Sequence, residues 1–286
     1  MTEIHHPGKQ VSLDAGCGVR INYFDTGGPG RPVLILHGLA GSATEFFSTA
    51  RALPEFRTIL VDLRGHGRST TRPGDLSREA FVADVVQVIE SAVAAPVALV
   101  GQSMGGHTAM MVAAKRPDLV SKLVLLESGA GSSSHAENMQ LGEFFQSWPV
   151  PFPSRAAARE FLGPGPLAEA WVADLEGRAD GYWPRFHPDV MVETMHGLVQ
   201  PRWDEWRAVT AQALVVYGEE GMFSEDEKRV FLLFSPGARR VDLPEASHDA
   251  HLNAFEPWIA ALRSFLCSPS LQHWIPTGGM PCAHFH

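Results

Sequence analysis

The stretch PVALVGQSMGGHTAMMVAAKRP, residues 96–117, constrains the chain more than any other. Its first part, Val97 to Val100, is a short apolar run suited to a strand covered on both faces. Its last part, from Met104 on, reads as a helix. Between them stands Gly101-Gln102-Ser103-Met104-Gly105, a G-x-S-x-G pattern in a strand–turn–helix setting. Glycines let the chain turn sharply without side-chain clashes, which leaves the Ser103 hydroxyl exposed at the strand end. The following helix aims its N-terminus at the same spot, where developing negative charge is favoured.

The same alternation runs along much of the chain. VSLDA and VRINYFD read as an opening hairpin, and PVLILH, RTILVD, KLVLLE and ALVVYG as buried strands. Helical patterns stand between them. One is capped by Ser42, another starts with Ser77 and Glu79, and the last is LNAFEPWIAALRSFL. Strands alternating with helices predict an α/β fold with a mostly parallel, twisted sheet and helices on both faces. Residues 128–207 break the rhythm. They hold no buried strand and are rich in Trp, Phe, Pro and Gly. We read 1–127 and 208–266 as the core, 128–207 as a helical cap inserted over the strand ends, and 267–286 as an irregular tail.

With these residues the chain resembles the α/β-hydrolase fold superfamily, over about residues 10–266. LILHGLAGS resembles that family's His-Gly loop, LVDLRGHGRS its next turn, and EASHDAHLNAFEPWIAALRSFL its histidine loop and final helix. The resemblance implies Ser103 as nucleophile and His248 as its base, with His251 the less suited histidine. It also implies an oxyanion hole from the backbone N–H groups of Leu39 and Met104. Arg64 and His66 are expected to brace loops rather than catalyse.

A histidine base needs a third group to fix its tautomer and stabilise its charged form. In the family that acid usually stands three residues after the glycine closing the seventh strand. Here Gly218 plus three is Gly221, which has no side chain. Two carboxylates remain. Glu220 is adjacent, and Glu127 closes the apolar KLVLLE, where a second family arrangement puts the acid. A carboxylate closing a buried strand is expensive unless paired, and Glu127 is preferred over Glu220.

The function expected is a serine hydrolase acting on a carboxylic ester or lactone of a small apolar or aromatic molecule. The same triad also serves amidases and hydrolases of carbon–carbon bonds. A non-catalytic small-molecule receptor is the reading a missing acid at 221 would favour. Trp148, Phe152, Trp183 and Phe186 in the cap are expected to line the substrate pocket. The net charge of −9 argues against nucleic-acid or anionic-membrane partners. No apolar run approaches the roughly 20 residues of a membrane span, and the N-terminus lacks a signal-peptide layout. Cys17, Cys267 and Cys282 make neither a disulfide framework nor zinc spacing. A cytoplasmic protein that needs no cofactor or metal, and takes a small-molecule substrate, is the expectation.

Overall fold

The computed structural model describes residues 7–131, 135–235 and 237–269. The tail from residue 270 on lies outside the described residues. Along the chain the first half holds β1 (Lys9–Gly16), β2 (Val19–Asp25), β3 (Arg31–Leu36), α1 (Phe47–Ala52), β4 (Phe56–Asp62), α2 (Arg78–Ala92), β5 (Val97–Gln102), α3 (Met104–Lys115) and β6 (Val120–Leu126). Then come α4 (His135–Gln146), α5 (Arg155–Leu162), α6 (Pro166–Asp174), β7 (Glu176–Arg178), β8 (Gly181–Trp183), α7 (Pro188–His196) and α8 (Trp203–Ala208). The chain returns to the core with β9 (Gln212–Glu220), α9 (Glu225–Leu233), β10 (Arg239–Ser247), α10 (Ala250–Asn253) and α11 (Phe255–Cys267).

Eight strands form one sheet in the order β1-β2-β4-β3-β5-β6-β9-β10. The pairs β1–β2 and β2–β4 are antiparallel, and every other pair is parallel. The central strands are apolar on both faces because both are covered. Val33 and Ile35 point to the side of Phe46, Phe47, Trp258 and Leu262. Leu34 and Leu36 point to the side of Phe81, Val85 and Met110. That period of two is the strand's own geometry. The helices begin where the sequence supplies a cap. The Ser77 hydroxyl accepts from Ala80 N–H at the start of α2, and Ser224 and Glu227 form a reciprocal capping box on α9.

The register places the site. Gln102 on β5 pairs with Leu126 on β6, and Leu126 with Val216 on β9. The residues that follow the two strand ends, Ser103 and Glu127, therefore emerge side by side at the carboxyl edge of the sheet. No strand between residues 128 and 208 joins this sheet among the described residues. The segment is not purely helical, however. β7 and β8 pair as a small hairpin that the apolar pattern of the sequence does not announce. α8 also belongs with the core: the Trp206 ring is fully buried, stacks on Phe231 at 4.4 Å and donates from Nε1 to the Phe231 carbonyl.

Candidate active site

β5 ends in a turn that only a crowded surrounding can hold. Ser103 has φ 52° and ψ −120°, outside the regions that non-glycine residues favour. A Cβ at Gly101 would stand 2.3 Å from the Gly105 carbonyl oxygen, and one at Gly105 would stand 2.4 Å from that of His37. Both positions need glycine because backbone passes against backbone. The turn is fastened by Ser103 N–H donating to the Leu126 carbonyl at 2.9 Å and by the Ser128 hydroxyl donating to the Ser103 carbonyl at 2.9 Å.

His248 follows β10, and its Nδ1 lies 3.3 Å from Glu127 Oε2. The Glu127 side chain is wholly buried. Its Oε1 accepts from Gly218 N–H at 2.7 Å and its Oε2 from Met222 N–H at 2.9 Å. Three donors thus converge on one carboxylate, which has acceptor capacity for them all. The absent side chain at 221 has a steric reason. A Cβ on Gly221 would lie 2.1 Å from Glu127 Oε1 and 2.5 Å from its carboxyl carbon. The Glu127 carboxylate, arriving from β6, fills the space a side chain at 221 would use. Glu220 ends β9 as an exposed residue.

Ser103, His248, Glu127 and Met104 all line one cavity of about 170 Å³. Met104 opens α3, so its N–H is one of the orphan donors of a helix N-terminus. The loop carrying Leu39 lies against Ser103: a Cβ on Gly38 would be 3.4 Å from Ser103 Cβ. His37 holds that loop. Its Nε2 accepts from Leu63 N–H at 3.0 Å, which leaves Nδ1 to donate to the Gly38 carbonyl at 2.7 Å. Burial pushes its pKa down to about 4, so it stays neutral. Arg64 forms a buried two-point pair with Asp84, and burial takes His66 to about 3. His251 is buried flat against Phe46 at 4.3 Å and lowered to about 4 by the same cause.

The pocket lining differs from the sequence expectation. Trp148, Phe152 and Phe186 do not line the cavity at Ser103. They form a cluster with Phe145, Val172 and Ala40 of the loop after β3, ring centres 5.2–6.4 Å apart where they touch. The short helices and small hairpin of residues 128–207 bury their aromatic mass against one another. Trp183 is half-buried on the hairpin, bonded to Asp180 and stacked under Arg178. The cavity is lined instead by His107, Ser128, Leu198, Met222 and Phe223. His107 sits one helical turn beyond Ser103, a spacing that puts both on one face. Met222 and Phe223 follow Gly221 directly. Those two placements were the available sequence signals.

These features define a class, and comparison with known proteins agrees with it. Residues 31–255 match the family described as alpha/beta hydrolase fold. The chain belongs to that family. It is 43% identical to the sn-1-specific diacylglycerol lipase ABHD11 of Mus musculus over 98 residues, which cover 33% of this chain and only 32% of that protein. The protein of the same name from Danio rerio is 25% identical over 275 residues, covering 89% of this chain and 85% of that one. Among solved structures, E-2-(acetamidomethylene)succinate hydrolase superposes with a TM-score of 0.82 at 23% identity, covering 91% of this chain and 99% of the other.

Proposed function

We propose that the chain is a serine hydrolase of carboxylic esters or lactones of small apolar molecules, working through an acyl-enzyme. The observation that carries this reading is the Glu127 carboxylate, wholly buried and bonded to His248 Nδ1, with His248 and Ser103 on the wall of one cavity. A carboxylate on Nδ1 leaves Nε2 as the free base. Ser103 Oγ attacks the carbonyl carbon while its proton passes to His248 Nε2. The oxyanion is received by the N–H groups of Met104 and Leu39. The intermediate collapses, the C–O bond to the leaving alkoxide breaks, and His248 returns the proton to it. A water then attacks the acyl-enzyme with His248 again as base, releasing the acid and restoring the Ser103 proton. In a lactone the leaving alkoxide stays tethered to the acyl group.

The relatives named as diacylglycerol lipases support an ester substrate class. The reason for a receptor reading was the glycine at 221, and that glycine has a steric partner in Glu127. Hydrolysis of nitrophenyl esters and labelling by a fluorophosphonate test the proposal. Ser103→Ala should abolish labelling and lower turnover by at least ~10³-fold in a folded protein, since only binding and oxyanion effects remain. A well-folded Ser103→Ala enzyme with near wild-type turnover would end it. No helix among the described residues is long and apolar enough to cross a membrane. A cytoplasmic site of action and a small-molecule substrate are part of the same proposal.

A further inference from the structure

Gly101-Gln102-Ser103-Met104-Gly105 is followed by one more glycine, Gly106, which no step of the reaction uses. Gly106 lies in the first turn of α3, and glycine inside a helix weakens it. Its bare Cα has a spatial reason. A Cβ there would stand 2.5 Å from Ser128 Cβ, 2.6 Å from Ser128 Oγ and 2.9 Å from the Gly101 carbonyl oxygen. Gly106 therefore admits Ser128 to the back of the nucleophile turn.

Ser128 is buried and directly follows Glu127. Glu127 has φ 46°, in the left-handed region that favours glycine. The turn at this strand end serves two contacts from consecutive residues. The Glu127 carboxylate reaches His248 Nδ1 at 3.3 Å, and the Ser128 hydroxyl donates to the Ser103 carbonyl at 2.9 Å. That carbonyl also accepts from His107 N–H at 3.0 Å, the first bond of α3. Both of its lone pairs are thus occupied.

The Ser103 carbonyl is one half of a peptide group, and the Met104 N–H is the other half. The group is planar and trans, so a bond that holds its oxygen also fixes the direction of its N–H. A donor on the oxygen also draws electron density from the nitrogen, because hydrogen bonds in a chain polarise one another.

We propose that Ser128 is a positioning residue for the oxyanion hole: its hydroxyl, bonded to the Ser103 carbonyl, aims and polarises the Met104 N–H that receives the oxyanion. This rests on the hydrolase reading and gives the strand end that carries Glu127 a second task. The single hydroxyl hydrogen is committed to the carbonyl, so Ser128 acts through the peptide and not on the substrate. One oxyanion donor contributes about 10²–10³ in kcat, and a polarising bond strengthens its neighbour by about 10–30%. Removing the hydroxyl should then slow acylation by about two- to eightfold.

Ser128→Ala is the variant that tests this. It should fold, because the Ser103 carbonyl keeps the His107 N–H. Three quantities are compared with the wild type. The first is kcat/KM on a nitrophenyl ester. The second is inhibition by an alkyl trifluoromethyl ketone, whose hemiketal with Ser103 carries an oxyanion. The third is inhibition by the corresponding secondary alcohol, which forms none. The first two should weaken by one common factor of about two- to eightfold, and the alcohol should bind as it does to the wild type. Equal weakening of ketone and alcohol would make Ser128 only a wall of the pocket. Unchanged ester turnover and ketone inhibition would show that the hydroxyl does not act on the donor. Either result overturns the inference while leaving the hydrolase reading intact. A wild type that neither hydrolyses the ester nor is inhibited by the ketone overturns the hydrolase reading, and this inference with it.

Discussion

At the scale of single residues, Gly221 and Glu127 explain each other. The backbone at Gly221 is outside the left-handed region, so an aspartate could adopt it; what excludes a side chain is the Glu127 carboxylate. Moving the acid should therefore work only if the first one leaves. Glu127→Gly should lose at least ~10²-fold in kcat, within the cost of removing a triad acid. It suits the backbone, because Glu127 has φ 46°. Adding Gly221→Asp to it should recover at least ~10-fold, since a carboxylate then occupies the vacated space. A double variant no better than Glu127→Gly, with both folded, would refute this pairing. The turn at Ser103, the strand end at Glu127 and the loop of His248 were legible in the chain as places, because strand ends and glycine turns are local patterns. The reason for Gly221 was not: it is a contact between residues brought together only by the β6–β9 pairing.

At the scale of elements, the cap shows where sequence pattern stops informing. Its aromatic density was plain, but density does not say which way a ring points. The cap's short helices and small hairpin give several near-equivalent faces, and the structure turns Trp148, Phe152 and Phe186 inward on one another. Trp148→Ala should then act on stability, lowering it by about 3–5 kcal/mol as large core truncations do, and should slow small and bulky esters alike. Trp183→Ala, at a half-buried ring held by Asp180 and Arg178, should cost less, about 1 kcal/mol. Urea unfolding together with kcat/KM over an ester series checks both; a selective loss of bulky esters in Trp148→Ala would put that ring back in the substrate pocket. The core elements were easier to read, because β3 to β6 are buried on both faces and so keep unbroken apolar runs. α8 was misassigned to the cap because its tie to the core, Trp206 on Phe231, joins distant parts of the chain.

At the scale of the whole molecule, the carboxyl edge of one mostly parallel sheet collects Ser103, Glu127 and His248 from the ends of β5, β6 and β10, where α/β sheets hold their ligands. The folded core also hides four histidines from protons. Burial holds His37 and His251 at about 4 and His66 and His107 at about 3, against about 6.5 in an unfolded chain. Below about pH 6.5 the unfolded chain takes up protons that these folded sites refuse, so their effect is to lower stability as pH falls toward 4. Glu45, Asp62 and Asp174, raised by burial, act in the opposite direction. His251→Phe keeps the stack on Phe46 and removes one of the four. Its unfolding free energy should fall less steeply between pH 6.5 and 5 than the wild type's, by up to about 1.4 kcal/mol per pH unit. Parallel curves for the two proteins would show that His251 titrates normally in the fold.

The central claim is that a carboxylate from β6 completes a working serine triad, and steady-state kcat of two isosteric variants on one nitrophenyl ester tests it most directly. Glu127→Gln keeps the side chain's shape and removes its charge, and kcat should drop by at least ~10²-fold. Glu220→Gln alters an exposed carboxylate whose contacts are screened, and should cost roughly tenfold or less. A fully active Glu127→Gln beside an inactive Glu220→Gln would contradict the account.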